Sequence, residues 1–200
     1  EEELVRQALA DRQQRARTEK MRVRSAETGV LWTDYTVTNA VSGKTYRVAL
    51  RGWEAGECYC TCPDFRSNTL GVCKHILHFQ EKVRRRFPAR ELNRPYVHRD
   101  IAVAVRYGKE VELRVLVPPP EELSPEAAKV LSPVRDKPVK DGRDLARRIA
   151  KLTALGEEVT VYPDAEALLQ EMLYRERMAA KMAEIRADPA GHPFRRALLN

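Results

Sequence analysis

The 200-residue sequence predicts an α+β fold: an N-terminal helix, a small β-hairpin and helix module, and a second small α+β unit ending in a long helix. Three observations lead to it. From Val30 the chain turns to aromatic and β-branched residues, the mark of half-buried strands, and does so again from Ile101. Helix formers with apolar positions three and four apart fill 2–24, 74–87, 142–155 and 164–187. Between the two β-rich stretches lies the linker PARELNRPYVHRD, whose prolines and charges belong to neither pattern. The organisation expected is 1–29 as N-terminal helix, 30–88 as the first module, 89–100 as linker and 101–200 as the second unit.

Each element has its own warrant. In 2–24, Leu4, Val5, Ala8, Leu9, Arg12 and Ala16 form a narrow stripe that predicts a helix docked on something. VLWTDYTVTNAV and TYRVAL read as two strands joined by a turn around Ser42 and Gly43, with a third strand through Glu57–Cys62. The helix from Lys74 to Phe87 has Ile76, Phe79, Gln80, Val83 and Phe87 on one face and ends at Pro88. IAVAV and VELRVLV make a hairpin that stops at three prolines. SPEAAKVL is a short helix capped by Ser124 with Pro125 at its first position. A helix from Gly142 to Leu155 stops at Gly156, EEVTVY adds a strand, and Asp164–Ala187 is the long helix.

Composition sets the outer limits. With 43% hydrophobic and 32% charged residues, the chain can bury one ordinary core or two small ones, which excludes a disordered tail. Mean hydropathy is −0.53, and no apolar run approaches the roughly 18 residues of a membrane span. The start, EEELVRQALADRQQRARTEK, lacks the apolar core of a secretory signal. A soluble, cytoplasmic protein is therefore expected. A first residue of Glu1 and a basic, apolar end at AGHPFRRALLN fit a chain cut from a longer one.

All four cysteines fall within the string CYCTCPDFRSNTLGVCKHILH, Cys58 to His78. In a reducing compartment such a cluster reads as metal binding before disulfides. Residues two apart in a strand share a face, so Cys60 and Cys62 reach one ion together, with Cys58 an optional third. Ten residues separate Cys62 from Cys73. Pro63 turns the chain and Gly71 lets it return, which sets Cys73 and His75 at the mouth of the following helix. Three thiolates and an imidazole suit one tetrahedral Zn²⁺ with every position filled by protein, a structural ion that has no room to activate water. Reduced core cysteines, a strained disulfide between neighbours, and a redox or nucleophilic Cys and His pair are the rival readings. His78 is a substitute ligand or, in preference, a residue that packs or faces solvent, and His98 and His192 stand alone.

The pattern CxC…CxH, with Pro63 after the second cysteine, Phe65 two residues on and CKHIL opening the helix, resembles the SWIM zinc finger over residues 44–87. The resemblance implies Cys60, Cys62, Cys73 and His75 as ligands of one structural Zn²⁺. Cys58 departs from it and allows a rival choice of Cys58 with Cys60; Pro63 and Phe65 favour Cys60 with Cys62. SWIM fingers accompany bacterial Swi/Snf-type helicase-like ATPases, Mutator-like transposases and some ubiquitin ligases. The layout here is similar to the region before the ATPase core in the first of these.

Net charge is +7, and between residues 44 and 100 twelve basic side chains face six acidic ones. That local excess predicts phosphate binding, DNA first and RNA second, through Arg66, Lys74, Lys82, Arg85 and Arg86. The alternative for the arginine run is that it closes a helix against its dipole; Arg66 and Lys74 also offset the negative charge of a three-thiolate zinc site. No GxxxxGKS/T loop, HExxH or GxSxG occurs, and the pairs Glu121–Glu122 and Glu157–Glu158 read as solvated surface, so a non-catalytic chain is expected. The competing function is a protein-interaction module, its terminal helices docking a partner or an attached ATPase core.

Overall fold

MRVRS, at the end of the stretch expected to be helical, alternates in twos and not in threes and fours. In the computed structural model, which describes residues 2–187, helix α1 (Glu2–Thr18) stops before it and Met21–Ser25 forms strand β1. Met21 is buried, Val23 and Ser25 are half-buried, and Arg22 and Arg24 are exposed. A period of two paired in register with a neighbour overrides the modest helix propensity of the arginines. The helix predicted over 2–24 is thus shorter, and its last turns belong to a sheet.

Contacts divide the chain into two units. The first takes the residues up to Val97 together with Arg106–Glu112. Its antiparallel sheet runs β1, β2 (Asp34–Asn39), β3 (Thr45–Ala49), β4 (Tyr59–Cys60). The β2–β3 turn is built as the sequence predicts: the Asn39 side chain accepts from the backbone N–H of Val41 and Ser42 at 2.9 and 3.0 Å, and Gly43 takes a φ of 68°. Pairing of Val23 with Val37, Tyr35 with Val48, and Val48 with Cys60 sets these residues on one face of the sheet. Against it lies helix α3 (Lys74–Arg86), with Ile76, Phe79 and Val83 buried. The rings of Tyr35 and Phe79 meet at 4.6 Å. Burying a phenylalanine of this kind contributes about 2–3 kcal/mol. Helix α3 ends where Phe87 N–H reaches the Val83 carbonyl and Pro88 follows, and a short helix α4 (Ala89–Leu92) comes next. A five-residue helix α2 (Pro63–Ser67) escaped the sequence reading, although Pro63 at its first position with Asp64 beside it is a start signal.

The second unit, His98–Val105 with the residues from Leu113 onward, has its own core. Strands β5 (Ile101–Arg106), β6 (Glu112–Leu116) and β7 (Val159–Val161) form a sheet in the order β6-β5-β7, with β5 and β7 parallel. Its buried side chains, among them Val103, Leu113, Leu131, Leu145 and Leu152, come from strands and helices alike. Between β6 and β7 lie helices α5 (Pro125–Leu131) and α6 (Gly142–Ala154); α7 (Pro163–Ala187) closes the chain described. Asp141 caps α6, and Glu176 of α7 accepts from the N–H of Gly142 at 2.7 Å, so two carboxylates satisfy its N-terminus. Gly156 stops α6 at a φ of 82°. Ser124 caps α5 as predicted, accepting from Ala127 N–H at 3.2 Å and donating to Glu157 at 2.9 Å. Ser124→Ala is expected to lower stability by about 1 kcal/mol, read as a shift in urea midpoint at constant slope. His192 and the basic end of the chain lie outside the described residues.

Candidate metal centre

Cys60 ends β4, and the backbone bond from Thr61 N–H to the Arg47 carbonyl, 3.0 Å, carries the strand pairing one residue further. The chain stays extended at Cys62 (φ −72°, ψ 148°), which caps α2 with its sulfur accepting from Phe65 N–H at 3.3 Å. Cys73 occupies the corresponding capping position of α3, leaving His75 in the first turn. Between these helices Asn68 braces the loop, donating to the carbonyls of Asp64 at 2.6 Å and Val72 at 3.0 Å while accepting from Leu70 N–H. Strand end, helix cap and helix mouth therefore bring Cys60, Cys62, Cys73 and His75 into one cluster.

All four are buried, and their ligand atoms lie within 4.8 Å of one another. In a tetrahedron with Zn–S of about 2.3 Å, sulfurs sit about 3.7 Å apart and sulfur and nitrogen about 3.5 Å. The Cys73 Sγ to His75 Nδ1 distance of 3.9 Å fits with a small contraction. The cluster is positioned to hold a metal ion.

The protons of the three thiols argue the same way. The Cys62 thiol is held below the ordinary range because Cys60 and Cys73 donate to it. Cys60 is pushed up to about 12, first by its bond to Cys62, and Cys73 is raised by Cys60, by Cys62 and by burial. Three thiols this close resist ionising together because each thiolate repels the next; a divalent ion removes that repulsion and releases the protons on binding. Cys58 lies outside the cluster. Its thiol donates to the Gly52 carbonyl at 3.3 Å and accepts from Gln80 at 3.5 Å, and burial pushes it up to about 11.

Helix α1 is tied to this centre by contacts that local pattern could not reveal. Lys74, between two of the clustered residues, donates to both carboxylate oxygens of Glu19 at 2.7 and 2.5 Å. Arg12 grips Asp64 of α2 at 2.5 and 3.2 Å. His78 is buried, its Nδ1 at 2.7 Å from the Ala16 carbonyl, with no hydrogen-bond partner for Nε2. Burial alone would raise the Glu19 carboxyl, but the bonds from Lys74 and Arg15 outweigh it and hold the group below its ordinary 4.5. A carboxylate depressed on folding stabilises fully above 4.5, and that stabilisation fades as pH falls through the lower folded value. Glu19→Gln should accordingly cost roughly 1–2 kcal/mol at pH 7. Its deficit against the wild-type chain should shrink in acid, which paired urea titrations from pH 7 to pH 3 will read.

The predicted phosphate-binding residues are not equivalent. Arg66 is exposed in the last turn of α2; Lys74 is committed to Glu19; Arg85 pairs with Glu81 on its own helix. Lys82 and Arg86 are exposed. Arg84 stacks over Trp53 at 4.8 Å, and the Trp53 indole donates to the Leu92 carbonyl. Tyr59 packs between Phe65 and Tyr107, with ring distances of 5.7 and 6.0 Å. These two aromatics are structural members of the first unit. No helix among the described residues is long and apolar enough to cross a membrane.

Compared with protein-family models, curated proteins and solved structures, the chain finds no match.

Proposed function

We propose that the first unit is a zinc-organised module that binds nucleic acid or targets a larger protein to it. The observation that carries the metal half is the buried set of three thiols and one imidazole within 4.8 Å. Cys60, Cys62, Cys73 and His75 would hold one Zn²⁺, which supplies cross-linking between β4, α2 and α3. With four protein ligands the ion has no open position for water, so its contribution is folding and not hydrolysis. The SWIM-like spacing supports a place beside a Swi/Snf-type DNA-dependent ATPase, with the chain itself non-catalytic and cytoplasmic.

The nucleic-acid half rests on the excess of cations in residues 44–100. Phosphate contacts give affinity that falls steeply with salt and shows little sequence preference. The double change Arg85→Glu, Arg86→Glu is expected to weaken binding of a labelled oligonucleotide about tenfold or more and to leave zinc content at one equivalent. Unchanged affinity would return the arginine run to its role at the helix end.

One observation favours a second reading, a protein-interaction module. Tyr174, Met178 and Met182 recur every four residues on α7 and are 60, 41 and 45% exposed. Such a stripe is the form a helix takes when it docks on a partner or an attached ATPase core. Binding that is insensitive to Arg85 and Arg86 but lost on Met178→Glu would select this reading.

A further inference from the structure

Between β1 and the C-terminal half of α3 lies a groove of about 400 Å³ that the metal centre does not use. Its floor is apolar: Met21, Val23, Tyr35 and Val83 line it. The Tyr35 hydroxyl is turned to other work, donating toward the carbonyls of Leu31 at 2.8 Å and Val30 at 3.1 Å. Three cations complete the lining, Arg22 from β1 and Lys82 and Arg86 from α3. All three are exposed. Lys82 and Arg86 sit four apart on one helix, a like-charge spacing that destabilises the helix. Several cations of this unit have found carboxylates, Arg12 with Asp64, Arg47 and Arg51 with Asp34, Lys74 with Glu19, Arg85 with Glu81. Among the described residues none of the three at the groove has one. A concave site ringed by unpaired cations concentrates anions.

We propose that this groove takes one unstacked base of a single-stranded nucleic acid, with the flanking phosphates on Arg22, Lys82 and Arg86. The inference rests on the nucleic-acid reading above and adds a location, a strandedness and Arg22, which charge counting had left out. The shape decides the strandedness. A duplex keeps its bases stacked inside and offers only phosphates, which need no apolar recess; a single strand can turn a base onto the floor while its backbone follows the cations. The floor presents no side-chain donor or acceptor to a base edge, so recognition is sequence-tolerant. The Tyr35 ring is already packed on Phe79, so the base is held by apolar contact and not by stacking on an aromatic.

The test is fluorescence anisotropy with the full zinc-loaded chain, a labelled fifteen-nucleotide oligo-dT and a duplex of equal length, across a salt series. The wild-type chain should prefer oligo-dT. Arg22→Glu, and separately Lys82→Glu with Arg86→Glu, should each weaken that binding at least tenfold and flatten the salt slope by about 0.7 per cation removed. Val23→Trp, which fills the groove without changing charge, should weaken binding and leave the slope alone. Zinc content and thermal midpoint establish that each variant is folded, and Arg177→Glu, on α7 of the other unit, should change neither affinity nor slope. Wild-type binding that survives the groove variants would overturn the location while the module reading stands. Equal binding of the duplex would overturn the single-strand claim. No binding of either probe would remove the nucleic-acid reading and this inference with it.

Discussion

Cys73→Ser is expected to release zinc from the full chain and unfold the first unit while residues 101–187 stay largely structured. A serine hydroxyl stays protonated where a thiolate would bind, leaving two thiolates and one imidazole. Structural zinc sites of this size contribute on the order of 10 kcal/mol in small finger peptides, comparable with the whole stability of an ordinary domain. The first unit has real apolar burial in Phe65, Phe79, Leu50 and Ile76, but the segment from Cys60 to Cys73 joins two of its helices around the metal cluster. The second unit has a separate core running from Ile101 to Leu169 and should exchange amide protons as slowly as before. Hydrogen exchange read by mass spectrometry, with metal content on the same sample, separates the two units. A chelator should reproduce the result in the wild-type chain. Cys58→Ser is the control: its thiol bonds to Gly52 and Gln80, so zinc should remain at one equivalent. Zinc lost with Cys58→Ser and kept with Cys62→Ser would reverse the choice between those two cysteines, and zinc kept without Cys73 would overturn the ligand set.

The second large effect is expected at Gly71, where alanine should destabilise the zinc-loaded chain by roughly 2–5 kcal/mol. Gly71 holds a φ of 66°, and a Cβ there would lie 2.7 Å from the Gly56 nitrogen and 2.9 Å from the Tyr107 carbonyl oxygen. Both obstacles are backbone and cannot swing aside. The same approach carries a hydrogen bond, Gly56 N–H to the Gly71 carbonyl at 2.9 Å, two residues before Cys73. Relief of the clash therefore moves a ligand, and zinc affinity should fall together with stability. Gly29 isolates the backbone part, because its φ of 82° is matched by nothing within 4 Å of a Cβ. Gly29→Ala should cost only about 1–2 kcal/mol. Urea unfolding of the three proteins decides the matter; equal losses at both glycines would mean that the close approach contributes nothing.

The metal cluster was legible because it depends on short-range rules. Spacing by two along extended backbone, a proline turn, a glycine return and a helix start are each written within a few residues, and together they bring Cys60, Cys62, Cys73 and His75 into one place. What stayed hidden depends on distant partners. Lys74 reads as a free cation beside a zinc site until Glu19, 55 positions away, takes its ammonium. Arg12 looks like part of an apolar stripe and instead grips Asp64. MRVRS follows a long run of helix formers, and pairing with β2 secures the strand that its alternation only suggests. Trp53 and Tyr59 lie close to the cysteines in sequence, and only the fold shows their rings occupied by Arg84, Phe65 and Tyr107. Charge counting could not tell the paired members of the basic region from its unpaired ones.

A zinc-organised first unit requires one zinc ion in an S₃N shell. X-ray absorption at the zinc edge, on the full chain purified without added chelator and with metal quantified, tests that most directly. The expected result is one equivalent of zinc, three sulfurs at about 2.3 Å and one nitrogen at about 2.0 Å. A substoichiometric metal, a shell with two sulfurs, or an oxygen from water in the fourth position would contradict it.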